Sequence, residues 1–126
     1  MTSIQFLGAS ETVTGSKYIL EISNKRILID VGLFQGSREW AEKNWDKPNI
    51  DLSTIDAVLL THSHIDHIGL LPRYYKFGLK APIYATPPTI ELTKILLLDS
   101  GRLQEEEAKY RKKHKASRHD PILPLY

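Results

Sequence analysis

The sequence predicts an α/β fold, a mixed sheet with flanking helices, and three stretches carry that prediction. Residues 17–31 form two strand-like segments about a tight turn. Ala57-Val58-Leu59-Leu60 is a short, continuous apolar run of the kind buried on both faces. From residue 56 onward, strand-like and helix-like segments alternate.

Taken in order, Ile4 to Leu7 reads as a short apolar strand ended by Gly8. Lys17 to Ile22 alternates, with Tyr18, Leu20 and Ile22 on one face and Glu21 on the other. Ser23-Asn24-Lys25 makes the turn, and Arg26 to Val31 returns as a more fully buried strand. Ser37 is placed to cap a short helix running towards Asn44, before Pro48. After the strand Ala57–Leu60, residues Ile68 to Phe77 read as a helix stopped by Gly78. Pro82 to Ala85 is a further strand. Thr86-Pro87-Pro88 then opens a helix carrying Ile90, Ile95, Leu96 and Leu98, extending to about Lys115 with Gly101 as a point where it can break. The last residues, His119 to Tyr126, end on apolar side chains, the pattern of an interrupted domain.

Composition narrows the chemistry. The chain has 126 residues, enough for one domain with a core, and a hydrophobic fraction of 41% with 25% charged residues, as in ordinary globular proteins. No apolar stretch reaches the ~20 residues that span a bilayer, and Met1-Thr2-Ser3-Ile4 is not a signal peptide, so no membrane partner is expected. The absence of cysteine excludes disulfides and thiolate metal sites, leaves nitrogen and oxygen as the only metal donors, and fits a cytoplasmic protein. A net charge of +2 identifies no partner.

The chemistry concentrates in one heptapeptide, Thr61-His62-Ser63-His64-Ile65-Asp66-His67, which holds three of the five histidines. At this chain's own residue frequencies, H-x-H-x-D-H arises by chance in roughly 4 of 10,000 such sequences. That rarity marks the segment as a metal site rather than a polar surface turn. Residues two apart in an extended segment share a side, so His62 and His64 can reach one ion, with Zn–N bonds of about 2.0–2.1 Å. Asp66 and His67, at the following turn, can serve a second ion about 3.5–4 Å away, and such a pair brings the pKa of bound water to near 7. The loop follows a buried strand, and the carboxyl end of a sheet is where open α/β folds bind ligands.

The same residues resemble the signature of the metallo-β-lactamase superfamily. Phe6-Leu7-Gly8-Ala9, Glu11-Thr12-Val13-Thr14-Gly15-Ser16, Leu28 to Gly36, Pro82 to Thr89 and Gln104 to Ala108 resemble its nucleic-acid-processing β-CASP branch. The resemblance implies that residues 1–126 are the N-terminal portion of an αββα sandwich. It implies that His62 and His64 ligate one zinc, and that Asp66 and His67 ligate a second, with Asp66 also steering the attacking hydroxide. Asp30 matches the acidic residue that braces the metal loop, and a carboxylate at the end of a strand can accept N–H groups from that loop. The implied activity is zinc-dependent cleavage of RNA, with single-stranded DNA as a further substrate, by exo- or endonuclease action.

In that family the third histidine of the first zinc, the aspartate bridging both metals, the last histidine of the second zinc and the inserted β-CASP domain all lie beyond residue 126. The resemblance therefore implies an inactive or weakly active fragment, holding zinc weakly or partially. One apolar sheet face without a partner would favour a homodimer. Two other functions fit the residues: a thioester, lactone or sulfate-ester hydrolase using the same loop, and a non-catalytic nucleic-acid-binding module. The module would use the basic run Lys109, Arg111, Lys112, Lys113, Lys115, Arg118, although Glu105–Lys109 and Glu107–Arg111 pairs suit a solvated helix end. His114 in that run reads as solvated and His119 as a turn cap. Thr14-Gly15-Ser16 is a candidate phosphate turn, outweighed by a plain turn. Trp40, Trp45, Tyr74 and Tyr75 have spacings that suit a core better than base stacking.

Overall fold

Five strands form one sheet in the order β1 (Ser3–Gly8), β2 (Lys17–Ile22), β3 (Lys25–Ile29), β4 (Ala57–Leu59) and β5 (Ile83–Tyr84), as seen in a computed structural model that describes residues 2–8, 14–48 and 50–114. The first three strands are antiparallel and the last two join in parallel, so the sheet is mixed. The β2–β3 turn holds Ser23 and Asn24 at φ 50 and 62, the two positive angles of a tight hairpin loop. The parallel steps need crossovers. Between β3 and β4 the chain passes through α1 (Arg38–Glu42) and two short 3-10 turns. Between β4 and β5 it passes through α2 (Ile65–Ile68) and α3 (Leu71–Lys76), and the long α4 (Pro87–His114) closes the described chain.

Register assigns the faces. Ile19, Leu28 and Val58 lie in one row across β2, β3 and β4. All three are fully buried, clustered with Val31, Ile68, Leu71, Tyr74 and Leu79. The opposite face carries the rows Ile4-Leu20-Ile27-Ala57 and Phe6-Tyr18-Ile29-Leu59-Tyr84. Of these, Ile4, Phe6, Leu59 and Tyr84 are exposed, so this apolar face is uncovered among the described residues.

The bare face explains the first two of several departures from the expected pattern. Ala57–Leu60 is buried on one side only: Val58 and Leu60 are covered, whereas Leu59 looks outward. In β2 the packed face is that of Ile19, and Tyr18 and Leu20 are half-buried with Ile22 exposed. The strand expected to reach Val31 ends at Ile29, because Asp30 turns into the left-handed region at φ 61. The helix expected over residues 68–77 is two helices, parted at Gly69-Leu70, with Pro72 in the first turn of the second and Gly78 stopping it at φ 113. α4 begins at Pro87 and runs through Gly101 unbroken, with Ile95, Leu96 and Leu98 exposed. No helix among the described residues is long and apolar enough to cross a membrane. The segments Ala9, Glu11–Val13, Lys115, Arg118 and His119–Tyr126, and the side chain of His114, lie outside the described residues.

Candidate metal centre

β3 and β4 are parallel neighbours, so the chain leaving each one emerges at the same end of the sheet. There the two exits are stitched together. Val31 N–H donates to His67 O at 2.8 Å, Leu33 N–H to Ile65 O at 3.1 Å, and Leu70 N–H to Val31 O at 2.9 Å. Ser16 adds a third strand of support, donating to Asp66 O at 3.1 Å and accepting from Gly32 N–H at 3.0 Å. The approach at Gly32 leaves no room for a side chain: a Cβ there would stand 1.6 Å from Asp66 O.

On this frame the three histidine rings meet. His62 and His64 lie edge to face with centroids 4.7 Å apart, as expected of alternate residues in an extended segment. His62 also lies 3.9 Å from the His67 ring. His64 occupies the cap position before α2, where its carbonyl accepts from His67 and Ile68 N–H, and Asp66 sits in the first turn. His64 is exposed, and His62, Asp66 and His67 are half-buried.

Asp30, only 1% exposed, organises the cluster from below. Its Oδ1 accepts from Thr61 N–H at 2.8 Å, and its Oδ2 accepts from the Thr61 hydroxyl at 2.7 Å. The same Oδ2 lies 2.7 Å from His67 Nδ1. A carboxylate can only accept, so Nδ1 is the donor in this contact, and in the neutral ring the lone pair then sits on Nε2. Thr61 has spent its single proton on Asp30, so the 2.9 Å contact with His62 Nδ1 must be donated by the imidazole. One buried carboxylate thereby fixes two tautomers, one of them through a hydroxyl relay. Neither Thr61 nor Gly32 has a role at the site that stands out from the sequence alone. The signal for Thr61 is a hydroxyl directly before the first histidine.

The donor set suits a borderline ion, being imidazole and carboxylate without thiolate. His67 Nε2 and Asp66 Oδ2 are 3.4 Å apart. Two donors each about 2.1 Å from a tetrahedral ion are separated by about 3.4 Å, so this pair fits one edge of a zinc coordination shell. No group of three or more His, Cys, Asp or Glu side chains among the described residues is arranged to hold an ion. The fit is therefore to part of a shell.

Other sequence candidates fare differently. The Gly15 and Ser16 N–H groups are spent on Leu33 O and Asp66 O, so Thr14-Gly15-Ser16 offers neither to a phosphate. Trp40 stacks on Phe34, Trp45 lies against the Arg73 guanidinium, Tyr74 is buried and Tyr75 donates to Ala81 O. In the basic run Arg111 pairs with Glu107, while Lys109, Lys112 and Lys113 are exposed.

Comparison with known proteins places these features. The profile of the metallo-beta-lactamase superfamily domain matches residues 19–120. The chain is 41% identical over 99 residues to a ribonuclease of Thermus thermophilus, covering 79% of this chain and 22% of that protein. It is 40% identical over 104 residues to the transcription termination factor FttA of Methanosarcina mazei, covering 82% and 16%. It is 36% identical over 106 residues to an Integrator complex subunit 11 homolog of Dictyostelium discoideum, covering 80% and 14%. Among solved structures, a metallo-beta-lactamase from Cronobacter sakazakii aligns with TM-score 0.49 and 25% identity, over 70% of this chain and 32% of that one. The chain thus spans between 14% and 22% of the lengths of these curated relatives.

Proposed function

This chain belongs to the metallo-β-lactamase superfamily, and from that premise we propose that it is the metal-loop portion of a zinc-dependent ribonuclease of the β-CASP branch, hydrolysing phosphodiester bonds in the cytoplasm. Divalent-metal binding goes with the superfamily. The choice of RNA is supported by the 41% identity to a protein named a ribonuclease. The observation that carries the reading is the Asp30 network, which engages Nδ1 of His67 and, through Thr61, Nδ1 of His62, and sets His67 Nε2 beside Asp66 Oδ2.

His62 and His64 would hold one zinc, and Asp66 and His67 a second. When bound, the ions supply a nucleophile from water at neutral pH and positive charge for the scissile phosphate. The chain's own groups do the rest. Asp30 holds protons at His67 Nδ1 and, through Thr61, at His62 Nδ1, so that both rings present lone pairs. Asp66 offers its carboxylate to orient the attacking water and accept its proton. Gly32 and Ser16 keep the loop backbone from moving as charge shifts. Cleavage of RNA by the full-length gene product should be lost on chelation and fall at least about 100-fold in His64→Ala. Chelator-resistant cleavage, or undiminished cleavage by that variant, would refute the reading.

A further inference from the structure

Away from the histidine loop, a cavity of about 330 Å³ opens between β1, the start of β2, the α1 region and α3. Two side chains in its wall are buried with hydrogens to spare. Lys17 is 2% exposed, and among the described residues its ammonium donates only to Gly15 O, at 3.2 Å, and lies 4.1 Å from the Phe34 ring centre. No carboxylate among the described residues forms an ion pair with it. Tyr74, 7% exposed, lines the same cavity, and none of the hydrogen bonds among the described residues involves its hydroxyl. Lys43, Asp46 and Lys47, all exposed, line the same cavity, which therefore presents three lysines against one aspartate.

Among the described residues the Lys17 ammonium has no counter-charge and the Tyr74 hydroxyl no acceptor, and one oxyanion entering the cavity would meet both. The volume, at the lower end of small-molecule sites, exceeds what a bare phosphate fills, and Phe34 and aliphatic side chains line the remainder. We infer that this cavity is a binding site for the phosphate monoester of a small organic molecule, with the Lys17 ammonium and Tyr74 hydroxyl on the phosphate and Lys43 and Lys47 at its mouth. Burial brings the Lys17 amine down to about 8, so at pH 7 it remains mostly charged and lacks only an anion. None of His62, His64, Asp66 or His67 lines the cavity, so the site stands apart from the metal loop.

Calorimetric titration of the chain in chelator, with AMP as probe and adenosine as its uncharged counterpart, tests the inference. AMP should bind saturably and at least about tenfold more tightly than adenosine, and Lys17→Met and Tyr74→Phe should each weaken it about five- to twentyfold. Lys43→Ala/Lys47→Ala, at exposed positions, should weaken it about threefold and flatten its salt dependence, and carries the test if Lys17→Met fails to fold. No AMP binding at millimolar concentration, equal affinity for adenosine, or affinity untouched in Tyr74→Phe and the double variant would overturn it.

Discussion

Asp30 Oδ2 lies 2.7 Å from His67 Nδ1, and it does so from a backbone position that few residue types tolerate. At φ 61 the chain is left-handed, a conformation that aspartate and asparagine adopt far more readily than alanine. Position 30 therefore has two separable demands, a carboxylate and a tolerant backbone.

Asp30→Asn meets the second demand and fails the first. It should fold close to normally while lowering zinc affinity about 10- to 100-fold in calorimetric titration. Asp30→Ala should add a backbone cost of about 1–3 kcal/mol in urea unfolding. Thr61→Val should release the His62 tautomer, seen as averaged imidazole ¹⁵N shifts, whereas Thr61→Ser should keep it. Equal zinc affinity in Asp30→Asn and the parent would refute the bracing role.

Gly32 and Gly36 separate a clash from a strain. An alanine at 32 would press its Cβ to 1.6 Å from Asp66 O, so the loop must move, at about 3 kcal/mol or more of stability and with loss of metal affinity. At Gly36 a Cβ meets nothing within 4 Å, and only the positive φ of 111 opposes it, at about 1–2 kcal/mol with metal affinity kept. Urea midpoints and zinc titrations of the two variants check both halves.

Lys17 gives the stability a pH signature. Below about pH 8 its amine is charged whether folded or not, and the burial penalty applies in full. Between about 8 and the ordinary 10.5, the folded chain has released the proton while the unfolded chain keeps it, so stability rises with pH. Above pH 10 Tyr74 works the other way: burial holds it up to about 12, so the unfolded chain ionises first and gains. Relative to Lys17→Met, the parent should gain about 2 kcal/mol between pH 7 and 10. Lys43, Asp46 and Lys47 face the same cavity in both proteins and cancel in the difference. A flat difference across that window would contradict the burial of a charged amine.

The bare sheet face predicts self-association of the 126-residue chain. Ile4, Phe6 and Tyr84 are each more than half exposed on one apolar surface. Light scattering should show a mass that rises with concentration, and Phe6→Lys should hold the chain monomeric to higher concentration. A single mass across a hundredfold dilution would count against a homodimer.

Much of this was legible in the sequence, for reasons that particular residues show. The β2–β3 hairpin was readable because its pattern and its Ser-Asn turn agree, and β2 runs from Lys17 to Ile22 as expected. The histidine spacing announced which side chains converge, since two residues along an extended segment is a local fact. What could not be read was anything set across the chain. Leu59 looks as apolar as Val58, and only the missing layer on one side of the sheet tells them apart. Lys17 alternates like a surface residue, yet the same register that buries Ile19 buries it too. Thr61 gained its role from Asp30, 31 residues earlier, and no periodicity reports that pairing.

The hydrogen bonds from Val31 and Leu33 to His67 and Ile65 tie the histidine loop to a chain segment some thirty residues earlier. Its imidazoles cannot take up their positions until a crossover of some thirty residues has closed and the parallel pair has zipped. If this loop holds a cation, its affinity is inherited from tertiary order, and substitutions far away in the sheet should weaken that binding before they unfold the chain.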